Sequence, residues 1–410
     1  MREQDQDAVV VIGAGLAGLT AAATAARAGR PVVVVEAHAG GGRARTDERG
    51  GYRFNQGPHA LYRGGPAWRI LRGLGVSHRG HQPPLRGASG TRDGELVRLL
   101  GVAAGSLMTR LVKASPARWA GRSAEEWAGT LGGSGDVSEL ARMFIRVTTY
   151  VADLEAMPAD LAISQMKMGL LRGVSYLDGG WASLVDGLWS AASAAGTVIR
   201  AHQSAAAVSP GSRGGWEVAL AGGEVLRAAA VVVAAGGPAV ARTLLPVDPG
   251  WPELGPPVTA ACLDLGLRGH RPALVFGLDE PFYLSRHCPP ADLAPPGGSV
   301  VHVMRYGARH ARRDRPELDR YARLAGITDD QIVAERFLAD MVVTHVLPSP
   351  QLGLGGRPGV TVAAAEGIYL AGDWVGPTGW LADAAMASGR QAGRLAARVP
   401  AGNRPYPKVA

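Results

Sequence analysis

The first forty residues alternate between short apolar runs and one alanine-rich stretch. Residues 9–12 (VVVI) and 31–35 (PVVVV) are branched and apolar, whereas residues 19–28 are rich in alanine at helical spacing. Branched apolar runs predict buried strands, and the stretch between them predicts the helix that connects two parallel strands. The chain therefore opens with a predicted strand–helix–strand unit, which is typical of an α/β protein.

Helical patterns dominate the next part of the chain. An Asp-Gly pair at residues 93–94 predicts a hairpin turn. The motif Ser-Ala-Glu-Glu that starts at Ser123 predicts a capping box at the beginning of a helix. Helical spacing follows at residues 136–153 and 158–171. We therefore expect residues from about 100 to 175 to form a helical insertion.

Strand patterns return in the second half. Branched apolar runs predict strands at residues 197–200, 216–220, 230–233, 259–267, 300–304 and 368–371. The run at residues 335–346 favours a strand, although a helix stays open, and residues 382–399 predict a final helix. A chain of 410 residues exceeds one ordinary core, so we expect two domains.

Composition and charge exclude several classes of protein. No uninterrupted apolar run is long enough for a membrane-spanning helix. The polar first residues lack a signal peptide, so we expect a cytoplasmic protein, with peripheral membrane contact left open. Cys262 and Cys288 fit a reducing compartment. The charge of +8 comes almost entirely from arginine, and no nucleic-acid motif accompanies it, so no nucleic-acid partner is expected.

A glycine-rich motif connects the first strand to the first helix. Gly13, Gly15 and Gly18 have the spacing of a dinucleotide-binding turn, and Glu36 ends the second strand. The glycines permit a tight turn, close approach of a pyrophosphate, and close packing of the helix. The carboxylate of Glu36 can accept hydrogen bonds from a ribose diol and would repel a 2′-phosphate, which disfavours NADP. This motif predicts a bound dinucleotide.

A second glycine turn follows the second strand. Gly40, Gly41 and Gly42 precede Arg43. The glycine turn adds backbone N–H donors for a pyrophosphate, and Arg43 adds one positive charge. With Thr46, this segment resembles the Gly-Gly-Arg motif of the FAD-dependent flavoproteins that include amine oxidases, phytoene desaturases and protoporphyrinogen oxidases.

The resemblance continues at separated places along the chain. Gly57-Pro58-His59 resembles the family's segment that approaches the isoalloxazine ring, although the family commonly has an acid where Asn55 stands. Gly179-Gly180-Trp181 resembles the turn that leads back into the FAD domain. Gly372-Asp373-Trp374 resembles the C-terminal flavin motif, in the form most similar to squalene-associated desaturases.

On this resemblance we expect FAD as the cofactor, and Asp373 as the group that binds its ribityl hydroxyls. Together with the first turn, the resemblance gives the expected FAD contacts: Gly13, Gly15, Leu16, Ala17, Gly18, Glu36, Ala37, Gly41, Gly42, Arg43, Gly57, Pro58, His59, Ala205, Ala235, Gly236, Gly372, Asp373, Leu381 and Ala382.

The resemblance also implies the architecture. The expected fold is α/β, with a discontinuous FAD-binding domain of Rossmann-like, glutathione-reductase type and a substrate domain of mixed sheet and helices. The FAD domain would comprise residues 1–75, 178–250 and 357–410. The substrate domain would comprise residues 76–177 and 251–356.

Several residues are candidates for the substrate side. His59 is the candidate catalytic residue, because a histidine near the flavin could orient substrate or carry a proton. The candidate pocket residues are Tyr150, Met166, Met168, Tyr176, Trp374 and Trp380. The amine-oxidase branch commonly has a lysine on a strand of the substrate sheet, but residues 259–265 contain none and only Lys167 could replace it. His302, His310 and His345 lack metal-ligand spacing, so no metal is expected.

These observations favour oxidation or desaturation of an apolar small molecule by hydride transfer to the flavin, followed by reoxidation with O₂ or a quinone. The sequence has no second dinucleotide motif between a predicted strand and a predicted helix, so a separate nicotinamide site is not expected. An amine or amino-acid oxidase, a redox-neutral isomerase and a flavin-binding partner subunit stay open. The oligomeric state stays open as well.

Overall fold

A five-stranded sheet and a seven-stranded sheet organise the protein in the computed structural model, which describes residues 8–99, 101–132, 135–212, 214–269, 274–308 and 310–400. The strands are β1 (Val9–Ile12), β2 (Val32–Val35), β3 (Thr46–Arg49), β4 (Tyr52–Asn55), β5 (Leu61–Tyr62), β6 (Gly80–His81), β7 (Ser89–Arg92), β8 (Glu95–Arg98), β9 (Val174–Leu177), β10 (Val198–Arg200), β11 (Ala205–Pro210), β12 (Trp216–Leu220), β13 (Val225–Ala228), β14 (Ala230–Val233), β15 (Val258–Arg268), β16 (Leu274–Gly277), β17 (Phe282–Cys288), β18 (Gly298–Tyr306), β19 (Ile332–Thr344) and β20 (Ile368–Leu370).

Helices fill the connections between these strands. They are α1 (Leu16–Arg27), α2 (Pro66–Gly73), α3 (Gly101–Lys113), α4 (Ala124–Gly129), α5 (Gly135–Thr149), α6 (Ala159–Met166), α7 (Ala182–Ala194), α8 (Pro238–Leu244), α9 (Ala311–Leu324) and α10 (Ala382–Ala396). A π-helical segment, Lys167–Arg172, continues α6, so the helix expected over residues 158–171 changes its winding near the middle. In the part of the chain that the structure describes, no helix is both long and apolar enough to cross a bilayer.

The five-stranded sheet is parallel and contains both the first strand, β1, and the last strand, β20. Its order is β10-β2-β1-β14-β20, with Val10 opposite Val33 on one side and Val231 on the other. β1 and β14 are buried along their whole length, which is typical of parallel strands covered on both faces. The predicted opening unit and the α/β fold are confirmed.

The last helix packs on the first helix through glycine. A Cβ on Gly389 would lie 2.3 Å from the carbonyl oxygen of Ala17, and one on Gly393 would lie 2.4 Å from that of Ala21. A real Cβ does not approach backbone this closely, so glycine is what lets α10 lie directly on α1. This contact places the starts of both helices beside the same sheet.

The seven-stranded sheet has the order β19-β15-β18-β17-β16-β7-β8 and is antiparallel except between β16 and β7. One face packs against α9 through an apolar cluster that includes Leu263, Val303 and Tyr321. The other face packs against α3–α6 and against strands β4 and β9. β19 settles the open choice at residues 335–346, since residues 335–344 form a strand and the strand ends at Thr344.

Two short motifs, one before the helical insertion and one within it, form where the sequence predicts them. Asp93 and Gly94 have φ values of 51° and 77°, as a two-residue hairpin turn of type I′ requires, and they join β7 to β8. Ser123 and Glu126 form the reciprocal capping box at the start of α4. The predicted domain bounds stay a prediction; the observed apolar cores are one around the parallel sheet and others around the larger sheet.

Candidate cofactor and substrate sites

The carboxyl ends of β1, β14 and β20 meet at one edge of the parallel sheet. Gly13 follows β1 with φ of +104°, and a Cβ at this position would lie 2.8 Å from the carbonyl oxygen of Ala234. Glycine alone adopts this conformation without strain. After β20, the Ala371 N–H donates to the carbonyl oxygen of Val233 at 3.0 Å. The first glycine turn and the final Gly-Asp segment therefore flank the same point of the sheet.

Two glycine turns lie side by side at this edge. The Gly41 N–H donates to the carbonyl oxygen of Ala14 at 2.9 Å, and a Cβ on Gly42 would lie 3.9 Å from the Cα of Gly15. A Cβ on Gly15 would meet nothing within 4 Å, so open space adjoins the backbone where α1 begins. Open space beside the positive end of a helix fits a pyrophosphate, and the two turns therefore fit a dinucleotide.

Glu36 lies next to the first glycine turn. Its carboxylate accepts hydrogen bonds from the Ala14 N–H at 2.7 Å and the His38 N–H at 2.8 Å. The Gln203 N–H donates to the carbonyl oxygen of Glu36 at 2.8 Å, which brings the segment before Ala205 alongside. This arrangement leaves an acceptor group at the end of β2, where a ribose diol would lie in a dinucleotide-binding fold.

Asp373 connects the final segment to the second glycine turn. Its carboxylate accepts from the Arg43 guanidinium at 2.7 and 3.2 Å, and from the backbone and Nδ1 of His345 at 2.9 Å each. Burial alone would raise the pKa of Asp373, but the charge of Arg43 and the hydrogen bond from His345 outweigh it and lower that pKa. Asp373 is therefore a buried anion, fixed from both ends of the chain.

The start of α10 lies beside this carboxylate. Leu381 precedes the helix with a φ of 54°, which is uncommon for a side chain other than glycine, and Ala382 is the first helical residue. The Gly372 N–H donates to Ser388 Oγ at 3.0 Å, which ties the Gly-Asp turn to α10. Ala235 and Gly236 follow β14 at the same edge.

Asn55 joins the second glycine turn to the Gly179-Gly180 turn through its side-chain oxygen. Its side-chain oxygen accepts from Thr46 Oγ1 at 2.9 Å and from the Trp181 N–H at 2.8 Å. A Cβ on Gly180 would lie 2.7 Å from that oxygen, so the Gly-Gly turn needs glycine here. The amide oxygen of asparagine serves as an acceptor, as one oxygen of an acid would.

His59 lies between the two sheets. Its Nδ1 is 3.1 Å from the carbonyl oxygen of Gly57, and its ring meets the indole of Trp181 edge-on at 4.9 Å. Burial lowers the pKa of His59 to about 4, although the hydrogen bond to Gly57 opposes the shift. The ring is therefore neutral near neutral pH and is suited to orient a group more than to hold a proton.

The Gly57 turn rests on the larger sheet. A Cβ on Gly57, which has φ of +78°, would lie 2.7 Å from Met341 Sδ and 3.7 Å from Cys262 Sγ. The segment that resembles the isoalloxazine-facing motif thus lies directly on β15 and β19.

Four of the six candidate pocket residues lie in or beside the layer between the larger sheet and the helical insertion. Tyr150, Met166 and Trp380 belong to one apolar core, and Tyr176 joins it through its hydroxyl, which is 3.2 Å from that of Tyr283. The Tyr150 hydroxyl donates to the carbonyl oxygen of Pro58 at 2.9 Å. The Trp380 indole donates to that of Thr149 at 3.0 Å. Their polar atoms are satisfied within the protein and all four side chains are buried, so the layer that they form is apolar.

The other candidates lie elsewhere. Trp374 packs in the core of the parallel sheet, edge-on to Trp251 at 5.1 Å, and donates to the carbonyl oxygen of Gly236 at 3.3 Å. Met168 lies in the π-helical segment. Lys167 donates to the carbonyl oxygen of Ala114 at 2.6 Å, so its amine is bound at the end of α3.

A buried polar row crosses the three strands at one edge of the larger sheet. Arg336 on β19, Asp264 on β15 and His302 on β18 are opposite one another in register. His302 Nδ1 lies 2.6 Å from Asp264 Oδ1, and Arg336 Nε donates to Asp264 Oδ2 at 2.9 Å. Cys262 Sγ lies 3.2 Å from the same carboxylate. We call these four residues the polar row.

Sequence reasoning missed the polar row as a group. Its signal was present, because Asp264 and His302 each interrupt a strongly apolar strand, and a buried polar side chain requires a partner. The pairing of His345 with Asp373 had no such signal, since it depends on how the strands of two sheets meet.

Comparison with known proteins gave one family match over most of the chain. The model of a family described as flavin containing amine oxidoreductase matches residues 16–269. A search of curated proteins gave no match.

Solved structures of similar fold include three oxidoreductases. An oxidoreductase from Methanosarcina mazei has a TM-score of 0.76 at 18% identity and covers 94% of this chain and 99% of its own. Cyclohexylamine oxidase from Brevibacterium oxydans has a TM-score of 0.69 at 16% identity, with 96% and 98% covered. Putrescine oxidase bound to putrescine has a TM-score of 0.69 at 16% identity, with 95% and 98% covered. At these identities the likeness concerns the fold.

Proposed function

The chain belongs to the family of flavin containing amine oxidoreductases and is an FAD-dependent oxidoreductase, and from that premise we propose that it oxidises or desaturates an apolar small molecule. The observation that supports this substrate class is the apolar layer of Tyr150, Met166 and Trp380, whose polar atoms are bound within the protein. Oxygen or a quinone would take the electrons in the end.

The residues at the edge of the parallel sheet fit FAD. The open space over Gly15 and the adjacent turn at Gly42 would hold the pyrophosphate, and Glu36 would hold the adenosine ribose. Asp373 and the start of α10 would lie at the flavin end. Bound FAD supplies the acceptor for a hydride from the substrate.

The protein's own contribution is to position the substrate and exclude water. The hydrogen bonds of Tyr150 to Pro58 and of Trp380 to Thr149 fix two aromatic side chains relative to the turn that contains His59. Fixed walls lower the entropic cost of bringing reacting atoms together. The neutral ring of His59 would hydrogen-bond a polar group without introducing a charge.

An anaerobic reduction assay tests the substrate class. The FAD-loaded protein is mixed without oxygen with squalene in detergent micelles, and in parallel with cyclohexylamine and with putrescine. We expect the isoprenoid hydrocarbon to remove the visible absorbance of oxidised flavin and the amines to leave it unchanged. Reduction by an amine alone would overturn the proposal, and conversion of squalene without loss of colour would indicate an isomerase.

One observation favours amine oxidation as the second candidate. Asp383, in the first turn of α10, is buried, and its Oδ2 has no hydrogen-bond partner within the described ranges. A carboxylate of this kind could bind an ammonium group. If an amine is the substrate, Asp383→Asn should raise its KM strongly, whereas with an apolar substrate the KM should change little.

A further inference from the structure

The polar row contains a histidine, His302, with one ring nitrogen held by Asp264 and the other without a hydrogen-bond partner among the described residues. His302 Nδ1 lies 2.6 Å from Asp264 Oδ1. Burial alone would raise the pKa of Asp264, but His302 and the Arg336 guanidinium lower it instead. An ionised carboxylate can only accept, so Nδ1 must carry the proton that is shared with Asp264. In the neutral form of the ring, Nε2 then presents a lone pair.

That lone pair is buried without a partner. His302 is fully buried, and its Nε2 makes no hydrogen bond to any residue that the structure describes. His287 lies edge-on to it at 4.5 Å between ring centres, is itself buried, and has both ring nitrogens in the same condition. A buried polar atom that is left unpaired destabilises the fold. Three such atoms at one place indicate a site for a polar atom that the protein does not supply.

The site is adjacent to the flavin-facing segment. Cys262 Sγ lies 3.2 Å from Asp264 and would lie 3.7 Å from a Cβ on Gly57. The Arg336 guanidinium also donates to the carbonyl oxygen of Asn55. The polar row therefore lies beneath the turn of residues 55–59, on the face of the larger sheet opposite α9.

Two other roles for His302, charge balance and metal binding, explain fewer of these observations. Arg336 already balances the charge of Asp264 through two hydrogen bonds, so a charge-balancing role does not require His302. Cys262, Asp264 and His302 could in composition hold a metal ion. However, two ligands of one zinc ion lie roughly 3.3 Å apart for bonds of about 2 Å, whereas His302 and Asp264 are 2.6 Å apart.

We infer that His302 accepts the proton that the substrate loses during oxidation, that Asp264 positions its ring, and that His287 continues the path for that proton. This inference rests on the proposed function. One C–H bond breaks and its electron pair leaves as hydride to bound FAD. A second bond, C–H or heteroatom–H, breaks; its electrons form the new double bond and its proton binds Nε2 of His302.

The first experiment compares His302→Gln with His78→Gln. His78 packs edge-on to Trp68 on the parallel-sheet side, so it receives the same chemical change outside the site. Both variants should keep their FAD and should be reduced by dithionite as the parent is. Reduction by substrate should slow about 100-fold or more in His302→Gln, the range of general base catalysis, and stay unchanged in the control. Equal substrate reduction rates in His302→Gln and the parent would overturn the inference.

The second experiment reads the ring directly. Nitrogen NMR of the FAD-loaded protein labelled at histidine should show His302, assigned by its loss in His302→Gln, with a proton on Nδ1 and none on Nε2. In Asp264→Asn this preference should weaken while FAD content is retained. A proton on Nε2 in the parent would contradict the inference, even if Asp264→Asn does not fold. If no probe reduces the parent, the proposed function fails, whereas the tautomer still decides the role of His302.

Discussion

The chemical role of a single histidine in this protein depends on what surrounds its ring more than on its residue type. His59, the residue that sequence reasoning selected for chemistry, has a pKa lowered to about 4 by burial, whereas His302, set aside for lack of metal spacing, is fixed by a carboxylate. The choice between them could not be made from sequence, since it depends on which atoms surround each ring. The signal available was the interruption of two apolar strands, by Asp264 and by His302.

Asp383 illustrates the same point and gives a prediction. Asp383 Oδ1 accepts a hydrogen bond from the Ala67 N–H at 2.7 Å, in the first turn of α2. Burial raises the pKa of Asp383 from 3.8 to about 6, although the hydrogen bond from Ala67 opposes it. Below pH 3.8 the acid is neutral in both folded and unfolded chains. As pH rises through about 6, ionisation of the buried group destabilises the fold.

Asp383→Asn is therefore expected to stabilise the protein at about pH 8, by up to about 2–3 kcal/mol, because the amide keeps the acceptor for Ala67 and carries no charge. The advantage should vanish at about pH 4. Thermal denaturation at the two pH values measures it, with the exposed Asp248→Asn as the control. A stability difference that does not depend on pH would contradict the raised pKa.

At the scale of elements, most predictions followed from short-range physics. The opening unit, the hairpin at residues 93–94, the capping box at Ser123 and the helical insertion all depend on neighbours in sequence. The winding change at Lys167–Arg172 and the strand character of β19 depend on packing partners far along the chain. A local pattern cannot specify those partners.

The seam between α1 and α10 gives the second prediction. A Cβ on Gly389 would lie 2.3 Å from the carbonyl oxygen of Ala17, so Gly389→Ala must push the two helices apart. We expect a loss of about 1–3 kcal/mol in the free energy of unfolding, together with weaker FAD retention. Gly105→Ala is the matched control, since nothing lies within 4 Å of that position in α3. Gain of helix propensity should stabilise the control slightly.

At the scale of the whole molecule, the candidate cofactor site is assembled from distant segments. Motif spacing indicated which segments would meet, and the Arg43–Asp373 ion pair at 2.7 Å joins two of them. The closure of that ion pair by His345 could not be read from either motif, because His345 follows β19 of the other sheet. The apolar substrate class stays a proposal, because the sequence motifs do not specify which side chains from distant segments meet around a substrate.

This ion pair gives the third prediction. Asp373→Asn removes the negative charge that pairs with Arg43 and replaces one of the two oxygens that accept from Arg43 and His345, so the final segment should hold the second glycine turn less tightly. We expect FAD affinity to fall roughly 10- to 100-fold, the range for losing a charged hydrogen bond. Equilibrium fluorescence of released flavin measures it. Asp248→Asn, at an exposed position, should bind FAD as the parent does, and equal affinity in both variants would exclude this role for Asp373.

The position of β14 between β1 and β20 also orders events during synthesis. β1 and β2 can pair early, and β14 can join them once residue 233 has emerged from the ribosome. The slot that β20 and α10 occupy stays vacant until residues 368–396 have been translated. Nascent chains should therefore remain unable to retain flavin until the segment of β20 and α10 has also left the ribosome.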